Sequence, residues 1–226
     1  MSITIRGIGW LTKDAYGCIA KGEHRPYGDA SGPDALAKQG LFAYPVKNFG
    51  RFDRVSRLTC IAVALALRDA GIEYSADRKQ DIGIIATSPE GSLVTDMEYL
   101  RDYLAGGRTL SRGNLFIYTL PSSPAGEAAI HFGFLGPMLY AAGGKSSLIT
   151  VVDTAAEMVR AGDAAMMATG MADDHEALFF FLTDDGSGLE PAFDVAEARA
   201  LMSASPDVAG MVRKFSSLRE ARKVRA

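Results

Sequence analysis

The sequence predicts an α/β fold in which a mixed β-sheet carries helices on both faces. Short apolar segments typical of buried strands alternate with segments of helical period, in the order β-α-β-α-β-α-β-β. One helix, Val55 to Ala70, is apolar nearly all round and stops at Gly71, which is typical of a buried helix. The last two strands are separated by only a short turn, so we expect them to pair antiparallel and make the sheet mixed.

The other elements follow from the same two periods. Gly7 and Gly9 in the first strand indicate that another part of the backbone passes close to it. The predicted strands are Ile3–Gly9, Ile82–Ala86, Leu139–Ala142, Ala164–Met171 and Ala177–Thr183, and residues 115–120 are also predicted to be extended. The predicted helices are Val55–Ala70, Ser92–Leu104, Pro124–Phe132 and Ser146–Ala161.

Two segments lack a clear period. Residues 13–54 are rich in Gly and Pro, and we expect a long loop that exposes the aromatic side chains of Tyr27, Phe42 and Tyr44. Residues 184–226 predict a loop and one or two helices, the last of which starts at Ser205-Pro206-Asp207 with Ser205 as its cap. One face of that helix carries Val208, Met211, Val212, Phe215 and Leu218. We therefore predict a domain of residues 1–183 and, over residues 184–226, a C-terminal loop and basic amphipathic helix.

The charge balance limits the classes of partner. The chain has 226 residues with 24 basic and 27 acidic side chains, a net charge of −3. Dedicated nucleic-acid and membrane-surface binders are strongly basic, so we expect neither partner. The last 14 residues hold six basic side chains and one acid, whereas residues 1–212 carry a net charge of −8. The N-terminus has no apolar signal region and the apolar stretch 132–144 is broken by Pro137 and four glycines, so a cytoplasmic protein is expected.

Neither the cysteines nor the acidic runs indicate a metal or a disulfide framework. Cys18 and Cys60 are two in number, and Cys60 lies inside the apolar helix, where a small buried hydrophobe is the favoured interpretation. The run Asp173-Asp174-His175-Glu176 favours a solvated turn, because four consecutive residues on a turn cannot converge on one ion. We expect no metal and no cofactor.

Four longer stretches occur in a recognisable order and spacing. They are RVSRLTCIAVALALRDAGI followed by QDIGIIATSPEGSL, then LPSSPAGEAAIHFGFLGPMLYAAGGKSS, and finally RAGDAAMMATGMAD. Over about residues 3–183 the chain resembles the N-terminal half of the β-ketoacyl synthases of the thiolase-like fold. The resemblance implies that fold, and it implies a dimer in which the strand before the nucleophile turn runs beside the two-fold axis.

The resemblance also shows what this chain would not do. In the family, the nucleophile is a Cys at the turn between that strand and a buried helix, and two catalytic histidines come from the second half. The equivalent turn here is 141–147, with Gly144 at the nucleophile position and Lys145 beside it; neither can form a thioester. Three histidines, His24, His131 and His175, match no catalytic position of the family. We therefore expect no catalytic residues and no Claisen condensation.

The helix after this turn supports the same expectation. In the family it is buried on most sides, but here its apolar residues fill one half of the helical wheel. The opposite arc is polar and holds Thr150, Asp153, Thr154, Glu157 and Arg160. Such a pattern predicts a surface helix.

The turn leaves a second function open. Gly143, Gly144, Lys145 and Ser146 precede a helix N-terminus, where an anion such as a phosphopantetheine phosphate can be held. The alternative is thus a small acyl- or phosphopantetheine-binding protein, or a divergent acyltransferase. A nucleotide phosphate loop is disfavoured, because Leu139 stands where that motif needs a glycine. Ser122 and Ser123 have no base that the sequence places near them.

Two segments indicate protein partners. Met138, Leu139, Tyr140 and Ala141 form an uncharged strand without a Lys or Glu that would keep other strands away, so we predict that they form a subunit interface. The partner is a second copy or a full-length ketosynthase. The basic end suits either a solvated helix terminus or docking of an acidic acyl carrier protein through Arg213, Lys214, Arg219, Arg222 and Lys223. The resemblance implies an accessory or partner subunit in fatty-acid or polyketide-like biosynthesis.

Overall fold

Strands and helices alternate along the chain as the sequence predicts. The structure, a computed structural model, describes residues 2–27, 32–109, 112–143, 147–184, 193–205 and 207–224. The strands are β1 (Ile3–Leu11), β2 (Ala15–Cys18), β3 (Glu23–Pro26), β4 (Ile82–Thr87), β5 (Met138–Tyr140), β6 (Met166–Ala172), β7 (Ala177–Asp184) and β8 (Phe193–Asp194). The helices are α1 (Gly32–Leu36), α2 (Arg54–Ala70), α3 (Leu93–Ala105), α4 (Gly113–Ile117), α5 (Ser123–Phe132), α6 (Ser147–Ala161), α7 (Val195–Ser203) and α8 (Val208–Lys223).

All described strands belong to one mixed sheet. Their order is β3-β2-β1-β7-β6-β4-β5, and β8 pairs with the beginning of β1. β4 runs parallel to β5 and β6, whereas β7 is antiparallel to both β6 and β1. The predicted antiparallel pair at residues 164–183 is therefore confirmed. Because β4, β5 and β6 are parallel, their C-terminal ends lie at the same end of the sheet.

On the face of the sheet that carries α2 and α5, the backbone of α2 lies very close to the backbone of β1. A Cβ at Gly7 would collide with the backbone of Ala66, and one at Gly9 would collide with the backbone of Ala62. The expectation of a backbone near these two glycines is confirmed, and the neighbour is α2. The Asp53 carboxylate accepts a hydrogen bond from the Ser56 N–H at 2.9 Å and caps the helix.

Three helices from the second half of the chain cover the other face. The buried side of α6 consists of Leu148, Val151, Val152, Ala155, Ala156 and Val159, while its polar arc faces outward as predicted. α7 and α8 pack beside it. On α8, the fully buried ring of Phe215 lies 5.8 Å from the ring of Phe180 in β7 and 5.1 Å from the ring of Phe193 in β8. Residues 193–224 thus contribute one strand and two helices to the same layered fold.

Four expectations from the sequence are wrong. Residues 113–117 form α4, because Leu115 and Tyr118 turn inward while the residues between them face out. Residues 13–54 contain β2, β3 and α1, and Phe42 is buried against other aromatic rings. The α8 cap is Asp207, whose carboxylate accepts a hydrogen bond from the Gly210 N–H at 2.6 Å. Tyr27 and Tyr44 are half-buried.

No helix in the described part of the chain is long and apolar enough to cross a membrane.

Candidate functional site

Hydrogen bonds fix the point at which β5 leaves the sheet. The Ala141 N–H donates to the carbonyl of Ala86 at 3.0 Å, and the Thr87 hydroxyl donates to the carbonyl of Ala141 at 2.8 Å. The Tyr140 hydroxyl reaches the carbonyl of Ser88 at 3.5 Å. These contacts hold the beginning of the candidate turn against the end of β4.

The turn itself is only partly described. Gly143 is exposed, and a Cβ added to it would lie 3.1 Å from the Cβ of Ser147, the first residue of α6. Gly144, Lys145 and Ser146 lie outside the described residues. The assignment of Gly144 to the nucleophile position, and the anion-binding alternative for this turn, stay predictions from the sequence.

The three histidines lie in three different environments. His24 is on β3 next to the Trp10 ring, and His175 is in the exposed turn between β6 and β7. His131 is buried in α5 with its ring centre 4.5 Å from that of Tyr44 and 4.7 Å from that of Phe132. Burial lowers the pKa of His131 to about 4, because the charged ring would lose its hydration. His131 is therefore a neutral packing residue at neutral pH.

Both cysteines are buried thiols. Cys18 is 1% exposed and Cys60 is fully buried in α2, which confirms the interpretation of Cys60 as a small buried hydrophobe. Burial raises the pKa of the Cys18 thiol to about 11 and also raises the pKa of the Cys60 thiol. Since the thiolate is the reactive form, neither cysteine is poised as a nucleophile.

Ser122 and Ser123 lie at the N-terminal end of α5. The Ser123 hydroxyl donates to the carbonyl of Ile117 at 2.6 Å, and Ser122 occupies the cap position of α5 without a side-chain cap bond. In these positions, neither serine hydroxyl is hydrogen-bonded, within the described part of the chain, to a side chain that could act as a base.

The acidic run at 173–176 forms a hydrogen-bonded turn between β6 and β7. The Asp173 carboxylate accepts hydrogen bonds from the N–H of His175 at 2.7 Å and of Glu176 at 2.9 Å. Burial raises the pKa of the Asp174 carboxyl, and the charges of Asp53 and Asp173 raise it further. Within the described residues, no group of three or more His, Cys, Asp or Glu side chains is arranged to hold a metal ion.

A cavity of about 920 Å³ opens beside this turn, between the beginning of α2 and the α3–α4 helices. The Arg54 Nε donates to the carbonyl of Asp174 at 2.7 Å, and the Thr95 hydroxyl donates to the Asp53 carboxylate at 3.3 Å. Its acidic and basic wall residues are Arg51, Asp53, Arg54, Arg57, Glu90, Glu98, Asp173 and Asp174, and His175 also lines it. Carboxylates outnumber arginines in this wall, which disfavours the binding of a simple anion. Sequence reasoning missed this cavity, because its walls come from four separate segments.

Two groups of large apolar side chains are exposed. The α3–α4 group consists of Leu93, Val94, Met97, Leu100, Leu104, Phe116, Ile117 and Leu120, of which Leu120 is 60% exposed. The β5 group consists of Ile130, Leu135, Met138 and Leu139, of which Ile130 is 76% exposed. Soluble monomers rarely expose apolar side chains in such groups, so these surfaces are candidates for contact with a partner.

β5 forms an edge of the described sheet. It pairs in parallel with β4 alone, so its other side presents unpaired backbone groups within the described sheet. Met138 is 47% and Leu139 is 44% exposed on this strand. All four residues of the predicted interface are thus at least partly accessible, since Tyr140 and Ala141 are half-buried.

Most of the basic side chains near the C-terminus bind to the rest of the fold. Arg219 donates from Nε to the carbonyl of Ala20 at 2.9 Å, and Lys214 donates to the carbonyl of Ala204. Arg222 pairs with Glu197 and places its Cζ 5.3 Å from the centre of the Phe193 ring. Arg213 and Lys223 are exposed. The tail cations therefore help to fasten α8, and carrier-protein docking through them stays a prediction.

Comparison with protein families identifies the fold family. The profile described as the β-ketoacyl synthase N-terminal domain matches residues 14–189. This chain belongs to that family. Two curated Streptomyces relatives match about half of this ketosynthase-like chain. The tetracenomycin polyketide synthase ketoacyl synthase alpha subunit of Streptomyces glaucescens is 30% identical over 128 residues, which cover 54% of this chain and 30% of the relative. A putative polyketide β-ketoacyl synthase 1 of Streptomyces virginiae is 33% identical with the same coverage.

Solved structures show the same thiolase-like fold. The ishigamide ketosynthase/chain length factor matches with a TM-score of 0.64 and 14% identity, covering 85% of this chain and 65% of that one. A β-ketoacyl synthase from Burkholderia phymatum matches with a TM-score of 0.60 and 17% identity, covering 81% and 59%. A ketosynthase in complex with its chain length factor from Xenorhabdus doucetiae gives a TM-score of 0.55 and 16% identity, covering 84% and 82%. The chain spans less than a third of the curated relatives and between about three fifths and four fifths of these solved chains.

Proposed function

We propose that this ketosynthase-like protein is a catalytically silent partner subunit that docks a ketosynthase in fatty-acid or polyketide biosynthesis. The observation that carries the proposal is the uncharged edge strand β5, on which Met138 and Leu139 are half exposed. Ile130 of α5 and Leu135, which precedes β5, are exposed as well. An open strand edge with an apolar surround is satisfied by pairing with another strand. The β5 edge and the β5 group are therefore the docking surface.

The chemistry of the side chains supports the proposed lack of catalytic activity. The resemblance of residues 141–147 to the family's nucleophile turn implies Gly144 at the nucleophile position, and glycine has no side chain to acylate. Among the described residues, both thiols are buried with raised pKa values, and His131 is held neutral in an aromatic cluster. These features favour a subunit that supports catalysis by its partner.

The solved neighbours support the kind of partner. One is described as a ketosynthase/chain length factor, and another as a ketosynthase in complex with its chain length factor. The matched chain of the second complex is covered to 82%, so its length is close to that of this protein. A heterodimer with a ketosynthase is therefore the favoured form, and a homodimer through the same edge is the other.

A charge on the edge strand tests the docking surface. Met138→Lys places an ammonium group in the apolar contact, where its desolvation is not compensated, and it should abolish assembly with a co-expressed ketosynthase. Glu157→Lys on the outer face of α6 is the matched control and should assemble as the parent protein does. Light scattering after size exclusion measures the mass. A parent protein that stays monomeric at micromolar concentration, alone and with a ketosynthase, would refute the proposal.

Mass spectrometry tests the silence independently. The protein incubated with acyl and malonyl thioesters of a carrier protein should show neither a covalent adduct nor condensation product. Gly144→Cys should restore no condensation, because a nucleophile alone does not supply the two histidines that the family uses. A stoichiometric acyl adduct on the parent chain contradicts silence, while leaving the docking result unaffected.

A further inference from the structure

We propose that the cavity between β1, β3 and α8 binds a small ligand that carries a phosphate group on an apolar body. Its volume is about 480 Å³, and its walls are Trp10, Thr12, His24, Ala209, Val212, Arg213, Ser216 and Ser217. β3 and β5 form opposite edges of the described sheet, so this cavity is remote from the β5 docking surface. The inference is independent of the proposed partnership.

The electrostatics of the wall favour an anion. None of the described residues that line this cavity is a carboxylate, although residues 1–212 carry a net charge of −8. The walls of four other described cavities each contain at least one carboxylate, such as Asp153, Asp53, Glu127 and Asp34. Arg213 therefore faces a cavity whose described wall holds no counter-ion, which attracts a negatively charged ligand.

The donors converge from two elements. Ser216 and Ser217 follow Arg213 on α8 at spacings of three and four residues, so all three share one side of the helix. His24 projects from β3 to the same cavity. Within the described residues these four side chains make no hydrogen bond or ion pair with the protein, whereas Arg219 and Arg222 on the same helix do. A phosphate accepts from a guanidinium and from hydroxyls at once, and it matches this donor set.

The remaining wall is apolar. The indole of Trp10 is almost fully buried, and the ring of His24 lies 5.0 Å from it, centre to centre. Ala209 and Val212 complete this side. The cavity is larger than a phosphate ion, so an apolar group attached to the phosphate contacts this side while the anion meets the donors.

The fluorescence of Trp10 provides a direct measurement, because it is the only tryptophan of the chain. Titration with butyl phosphate at constant ionic strength should give a saturable change, and butanol should give none. Arg213→Gln should weaken binding by about tenfold, since it removes a charge-assisted hydrogen bond. Arg160→Gln, on the outer face of α6, is the control and should bind as the parent protein does.

Amide chemical shifts provide a second readout. Butyl phosphate should shift the ¹⁵N–¹H signals of residues 213–217, and inorganic phosphate should shift the same signals with lower affinity. The proposal is overturned if neither fluorescence nor chemical shifts respond, if butanol reproduces the response, or if Arg213→Gln folds and binds butyl phosphate like the parent protein. A thermal melt of each variant confirms that it is folded.

Discussion

The carboxylate of Asp69 binds three backbone amides that are remote from it in sequence. It accepts hydrogen bonds from the N–H of Ile8 at 2.8 Å, of Ala20 at 2.9 Å and of Lys21 at 2.8 Å. Burial raises the pKa of the Asp69 carboxyl, and the three amides oppose this rise by stabilising the ionised form. One side chain at the end of α2 thereby fixes the connection that follows β2.

His131 predicts a pH dependence of stability. Its pKa is lowered to about 4 in the folded protein, whereas an unfolded histidine titrates near its ordinary value of about 6.5. The unfolded chain therefore binds more protons between these values, and the free energy of unfolding should fall as the pH drops from about 6.5 to about 4. We expect this residue to account for a loss of about 2 kcal/mol, measurable by urea unfolding at several pH values.

His131→Phe is the variant that isolates this effect. The phenyl ring of the variant would pack against the rings that surround the native imidazole, which are those of Phe42, Tyr44, Tyr74 and Phe132. Carboxylates that titrate in the same range are unchanged, so the difference between the two pH profiles reports His131 alone. Parallel profiles for the variant and the parent protein would show that folding does not lower the pKa of His131.

At the scale of the element, α8 is a core helix with a basic surface. Phe215 is fully buried between β7 and β8, so Phe215→Ala should destabilise the fold by about 3 kcal/mol through loss of contacts and a residual cavity. Chemical denaturation measures this change. Ser217→Ala, at an exposed position of the same helix, is the control and should alter stability by less than about 0.5 kcal/mol. Equal stability of the two variants would mean that α8 is not docked in solution.

The same packing determines how carrier-protein docking must be tested. Deleting residues 213–226 removes Phe215 together with the cations, so lost binding would report lost folding. Lys223→Glu reverses one exposed charge and leaves the packed side of α8 intact.

The sequence pattern predicts short helices and strands less well than long ones. α4 has five residues, and the two inward side chains, Leu115 within it and Tyr118 at its C-cap, are too few to show a helical period. The β2–β3 pair has four residues in each strand, and β3 is mostly exposed. Such strands lack the alternation of buried and exposed residues by which a longer strand is predicted.

At the scale of the whole molecule, the exposed apolar groups predict that assembly raises stability. A partner that binds only the folded chain shifts unfolding by mass action. The melting temperature should therefore rise when a ketosynthase partner is added in excess, and Met138→Lys should remove most of the increase. Calorimetry with the separate and mixed proteins measures this. An identical increase for Met138→Lys would place the contact elsewhere on the surface.

The sequence by itself determined the fold class, the family and the principal elements. Long apolar runs such as Val55–Ala70, the glycines at 7 and 9, and the short connection between β6 and β7 each have one favourable structural solution. The same patterns predicted β5 as an uncharged strand and the polar arc of α6, because both depend on residue type and period within a single segment.

The tertiary structure decided what depends on side chains from separate segments. It brought His24 on β3 to Arg213 on α8, joined Asp69 to the amides after β2, and enclosed His131 in aromatic rings. It also engaged Arg219 and Arg222 in contacts within the chain, which their basic run did not indicate. Charge and period are local properties of a sequence, whereas cavities, counter-ions and burial are fixed by packing between elements that are remote in the chain.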